Sequence, residues 1–135
     1  MARRGIAACI TALALGGCSL GDDEEPKAPG TATKEIVAAV EELERATREG
    51  DFAAICQDIF SADARVRSGG DDCETALAET GAGIERARLT VRAIELEEEG
   101  AEVRVSTRAE GQASVDETIV FVTEDGEYRI DALGG

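Results

Sequence analysis

The chain has 135 residues and a formal net charge of −15, from 29 acidic and 14 basic residues. So acidic a body is repelled by nucleic acid and by anionic head groups, which argues against nucleic acid as a partner. It contains no histidine, which excludes Ser-His-Asp and Cys-His nucleophile pairs, histidine acid–base catalysis and every histidine-containing metal site.

The chain opens "MARR", so Arg3 and Arg4 precede the apolar run Gly5 to Leu15. That run has the length of a secretory signal and falls short of the roughly 20 residues a membrane span needs. It ends at Leu15, Gly16, Gly17 and Cys18, which resembles the bacterial lipobox, where cleavage falls just before a cysteine whose thiol carries a diacylglycerol. The expected organisation is a signal peptide over residues 1–17, a flexible acidic tether over 18–31 and one domain over 32–135. Cys18 is then the lipidation site, and the protein faces the extracytoplasmic side of the cell membrane, held there by lipid. The alternative is Ala12, Leu13, Ala14, an Ala-x-Ala site at which ordinary signal peptidase would release a soluble product. Loss of Arg3 and Arg4 leaves 12 basic against 29 acidic residues, a charge of −17.

The segment behind Cys18 is polar, acidic and broken by Pro26 and Pro29, with too little apolar surface to order itself. Asp22 to Glu25 lack EF-hand spacing and read as a solvated charge run, so no metal and no cofactor are expected. Thr33 is predicted to cap a first helix with Ile36, Val40, Leu43 and Thr47 on one face and Gly50 at its end. Asp51 caps a second, whose Phe52, Ile55, Cys56 and Ile59 fall on one stripe. "SADARVRSGGD" reads as a loop. Asp71 with Glu74 makes a capping box for a third helix carrying Cys73, Ala76, Leu77 and Thr80. With Cys9 lost in the signal and Cys18 lipidated, Cys56 and Cys73 remain. Two cysteines cannot complete a zinc site, and outside the cytoplasm an even pair is most simply a disulfide, with two unlinked core thiols as the rival.

After about Gly83 the apolar period becomes two. Leu89 and Val91 alternate with polar residues, and Ile94 and Leu96 continue out of phase, which predicts a bulge near Ala93. "EEEGAE" turns the chain into a return strand with Ala101, Val103 and Val105 inward. Ile119 to Val122 are apolar on both faces, and "TEDGE" is an Asp-Gly hairpin turn into a last strand bearing Tyr128 and Ile130. The expected class is α+β, with three N-terminal helices packed on a curved four-stranded antiparallel sheet.

"REGDFAAIC", the second cysteine at the start of a helix, and "VTEDGEYRID" together resemble the nuclear transport factor 2-like (SnoaL-like) superfamily. More narrowly, the chain is similar to small secreted bacterial lipoproteins that attach such a cone-shaped domain to a lipobox. The resemblance implies a concavity, whose expected lining is Phe52, Val105, Ile119, Phe121 and Tyr128. Some members are enzymes that use an acid and a tyrosine inside the cone, so an isomerase-like or small-molecule-binding activity is the alternative function. Tyr128 is the only tyrosine and lies in the last strand, and Glu41, Glu42, Glu44 and Glu97 to Glu99 read as solvated. No catalytic residue is therefore assigned. Related domains also pair through their sheets, so a homodimer covering Ile119 to Val122 is one expected partner. The other is an envelope protein or anionic polymer docked on Arg86, Arg88, Arg92, Arg104 and Arg108, which share the outward parity of a hairpin. In the bland account Glu95 faces Arg104 across that hairpin and the arginines are simply paired.

Overall fold

The computed structural model describes residues 29–81 and 87–134; the predicted signal peptide, Cys18 and Arg86 lie outside the described residues. Helix α1 (Pro29–Glu49) starts four residues before Thr33. Proline's preset φ suits a first helical position, and the Thr33 hydroxyl donates to the Pro29 carbonyl at 2.8 Å instead of capping. The last three residues of the expected tether are thus helical. Ala32, Ile36, Val40, Leu43 and Ala46 form the buried stripe, with Ala46 in the place expected for Thr47. Gly50, at φ 70°, ends the helix.

Asp51 then accepts the Ala54 N–H at 3.1 Å and starts α2 (Phe52–Ala54). This turn runs on into a π-helical segment, Ile55–Ile59, in which the Phe60 N–H reaches the Ile55 carbonyl at 2.9 Å. The stretch expected as a loop contains α3 (Ala62–Arg67), capped by Ser61, whose Oγ accepts the Ala64 N–H at 3.0 Å. Only Ala64 of its six residues is buried, so no apolar period marks it in the sequence. A 3-10 turn, Gly70–Asp72, leads to α4 (Cys73–Gly81). Asp71 lies inside that turn and not at an N-cap, which removes the predicted capping box. Thr80 is exposed, its hydroxyl turned back to the Ala76 carbonyl at 3.1 Å. The described chain therefore has four helical stretches ahead of the sheet where three were expected.

The strands β1 (Arg88–Glu97), β2 (Gly100–Arg108), β3 (Val115–Glu124) and β4 (Glu127–Leu133) form one antiparallel meander in sequence order. The β1–β2 register skips Arg92, so the predicted bulge lies between Val91 and Ala93. Asp125 and Gly126 both have positive φ, 51° and 78°, as a two-residue hairpin turn of the I′ kind requires. At Gly100 a Cβ would sit 2.1 Å from the Phe121 carbonyl oxygen, so only glycine lets β2 start there.

Ala101, Val103, Val105, Ile119, Phe121 and Ile130 point inward and are buried together with the stripe of α1 and with Ile55, Cys56 and Ile59. Both sheet edges are engaged by side chains or loop backbone. Glu44 of α1 accepts the Leu89 N–H at 2.8 Å, so this carboxylate joins helix to strand and is not merely solvated. At β4 the Ser61 N–H donates to the Ile130 carbonyl at 2.8 Å, beside a Phe60–Ile130 bridge, and Arg67 donates to the Asp131 carbonyl.

Cys56 and Cys73 are joined by a disulfide, with Cα atoms 6.2 Å apart and a sequence separation of 17. It ties the π-helical segment to the start of α4. Closing a loop of this size contributes about 3 kcal/mol by restricting the unfolded chain. Replacing both cysteines by serine should therefore lower unfolding free energy by about 2–4 kcal/mol in a denaturant titration. Mass spectrometry of a non-reduced digest should show the two peptides linked, two hydrogens lighter than the separate thiols.

Candidate functional site

The interior of the cone is occupied by its own side chains. Val105, Ile119 and Phe121 are buried, and Phe52 and Tyr128 pack against them as partly buried members of the same core. Tyr128 lies on the inner face opposite Thr123. Cavities lie at the margin of the core and on the outer surface. One of about 240 Å³ sits between α3 and the end of β4, walled by the core residues Phe60, Ala64 and Ile130 as well as by Arg67 and Leu133. Another, of about 410 Å³, lies along the outer side of α1 between Glu41 and Arg48. A third, of about 340 Å³, is lined by Arg88, Arg108, Ala109, Glu110 and Gly111.

Among the described residues no group of histidine, cysteine or acid side chains could hold a metal ion. On α1, Arg45 donates to Glu42 and Glu49. The hydrogen bond from Arg45 holds the Glu42 carboxyl below its ordinary range, and the same bond raises the arginine. Around α3, Ser61 donates to Asp131 Oδ1 at 2.8 Å, and the Glu124 carboxylate accepts the Ala62 N–H at 3.1 Å. These bonds fasten α3 to the last hairpin.

The outer face of the β1–β2 hairpin is different. Strand alternation sends Arg88, Thr90, Ala93, Glu95 and Glu97 outward from β1, and Glu102, Arg104, Ser106 and Arg108 outward from β2. The register sets Arg88 opposite Arg108, Thr90 opposite Ser106, and Ala93, with the bulged Arg92 beside it, opposite Arg104. Glu95 faces Glu102 and not Arg104, so the cross-strand pairing expected for Arg104 does not form. The tight turn is the physical reason, because the pairing of Glu97 with Gly100 fixes every facing pair from there to the bulge, and Arg104 meets Ala93. Like charges therefore stand directly across from one another at both ends, an arrangement that costs stability in an isolated hairpin.

Arg88, Arg92, Arg104 and Arg108 are all exposed. None of them has a carboxylate within ion-pair distance among the described residues. By contrast, Arg45, Arg48, Arg65, Arg67 and Arg129 all have one. The fifth arginine of the expected cluster, Arg86, is outside the described residues. Sequence parity locates the four arginines, but Thr90 and Ser106 between them become part of the same site only once the register is known.

No known family model matches the chain, and no curated protein matches it. Solved structures do. One is an NTF-2 like protein of unknown function from Silicibacter pomeroyi DSS-3, with a TM-score of 0.61 at 19% identity over 79% of this chain and 96% of that one. The fold is NTF2-like. An NTF2-like protein of unknown function from Shewanella baltica OS155 is similar too, with a TM-score of 0.58 and 11% identity over 80% of this chain and 94% of its own. The de novo designed NTF2 fold protein NT-9 superposes with a TM-score of 0.52, at 20% identity, over 73% of this chain and 83% of that one. The architecture is thus shared at identities where side chains have diverged, so this NTF2-like chain's function has to be argued from its own outer face.

Proposed function

We propose that this protein is a lipid-anchored, extracytoplasmic, non-catalytic domain of the bacterial cell envelope whose outer sheet face docks an anionic partner. The partner is an envelope protein with an acidic face or an anionic envelope polymer. The observation that carries the reading is the set Arg88, Arg92, Arg104 and Arg108, exposed together and without a carboxylate in reach among the described residues. Arginine forks bind carboxylate and phosphate in bidentate fashion and are only weakly hydrated, which suits them to an interface. The address rests on the Leu15–Cys18 resemblance, and the Cys56–Cys73 disulfide supports it, because such bonds persist in oxidising compartments. An isomerase-like site in the cone draws no support from the packing of Val105, Ile119 and Phe121, which are buried within the core.

A homodimer through the sheet is the second reading. Val120 and Val122 point outward and are only half-buried. The tail runs beside β3, with the Gly134 N–H on the Thr118 carbonyl at 3.0 Å, and does not cross over these valines. A second copy would cover them.

Reversing Arg104 and Arg108 together to glutamate should abolish capture of the partner from envelope extracts. Unfolding should stay within about 0.5 kcal/mol of the unmodified protein, as for other exposed substitutions. Capture should also weaken with added salt, since the screening length is about 8 Å at physiological ionic strength. Capture that ignores both changes would overturn the docking role. Light scattering on the same samples identifies a second copy as the partner if the mass doubles and the double variant halves it again.

The anchor is tested separately. Cys18→Ala should move the protein from the membrane fraction to the soluble one, because acyl chains supply the durable attachment. An unchanged membrane fraction would remove the lipid from the account.

A further inference from the structure

The geometry points to a phosphate-binding site over the hydroxyls of Thr90 and Ser106, and this assignment rests on the outer face being an anion-docking surface. Outward positions along a strand recur about every 6.6 Å, and neighbouring strands lie about 4.8 Å apart. The register therefore places the Thr90–Ser106 row one step from the Arg88–Arg108 pair and one step, on its other side, from Arg92 and Arg104. Two hydroxyls lie between two rows of guanidinium groups.

Three further observations favour an occupied role for this row. Ser106 is only 8% exposed although it lies on the open face, so the long side chains around it already enclose it. Neither hydroxyl has a hydrogen-bond partner among the described residues. The Arg88–Arg108 pair also lines the cavity of about 340 Å³, whose other walls are Ala109, Glu110 and Gly111, so open space adjoins the row on the side of that pair.

The chemistry of the donors selects the ligand. A carboxylate presents only two oxygens, both in one plane, and a single guanidinium fork engages both. Forks converging from two sides, with hydroxyls beneath, match the tetrahedral oxygens of phosphate. The local charge agrees: the four arginines have no carboxylate within ion-pair distance among the described residues, which suits a phosphomonoester dianion, a group that loses its second proton near pH 6.

The test is a titration of the full chain, followed by ¹⁵N chemical shifts at Thr90 and Ser106, at matched ionic strength. The probes are glycerol phosphate as a monoester, glycerophosphoglycerol as a soluble diester like that of a lipid head group or polymer, and succinate as a carboxylate. Saturable shifts with glycerol phosphate that strengthen as pH rises through about 6 identify a monoester source. Saturable shifts with the diester, indifferent to pH, identify a head-group or polymer source. Either result supports the site, and Arg104→Gln with Arg108→Gln should weaken binding by about tenfold or more, Thr90→Ala by about fivefold. Succinate binding as tightly as either phosphate, or no saturation with any probe, overturns the phosphate assignment. If partner capture still depends on Arg104 and Arg108 in that case, the docking reading survives; if it does not, both fall together.

Discussion

The inner face of β2 and β3 has to be kept from water, and α1 is the element that does it. Val103, Val105, Ile119 and Phe121 are almost wholly buried, and so are Ile36, Val40 and Ala46 of the helix. Burial of side chains this size is worth about 1.5–3 kcal/mol each, an amount that no pair of surface charges in this chain can rival. The remaining helices fit around that contact. The π-helical segment packs against α1 and β4, and the disulfide holds α4 to it. Phe121 sits at the centre, and Gly100 is the point where β2 comes close enough to β3 to make the layer continuous.

Polar groups do a second job, which is to set where the elements stop. Glu44 takes the Leu89 N–H at the start of β1. Ser61 caps α3, donates to Asp131 and gives its N–H to Ile130. Glu124 adds its carboxylate to the same corner. An exposed strand edge with free N–H groups invites pairing with another chain, and these contacts occupy parts of both edges.

The outer face has an uneven charge layout for so acidic a protein. Arginines gather at the end of the hairpin where β1 begins, and Glu95, Glu97 and Glu102 gather at the other. Cross-strand neighbours of opposite charge would have stabilised the hairpin, yet the register sets like against like. Sequences that break a local rule without a structural gain do so most often at functional sites. With the interior filled by Phe121, Ile119 and their neighbours, the proposed docking role rests on this face.

Much of this was legible before any coordinates. The absence of histidine and the charge of −15 bounded the chemistry, and the change of apolar period near Gly83 separated helices from strands. The Asp-Gly turn, the bulge beside Ala93, the end of α1 at Gly50 and the Asp51 cap are all local signals, set by backbone preferences of a few residues. What stayed hidden depends on partners distant in sequence. Helix α3 has one buried residue and no period, and it is held by Asp131 and Glu124, more than sixty residues on. Glu44 looked solvated because the N–H it satisfies belongs to a strand 45 residues away. The sequence alone determined which residues of the hairpin point outward. Only the tertiary structure decided that Arg104 faces Ala93 and that Glu95 faces Glu102, because the strand pairing that sets Glu97 against Gly100 fixes which positions meet, and no local preference states it.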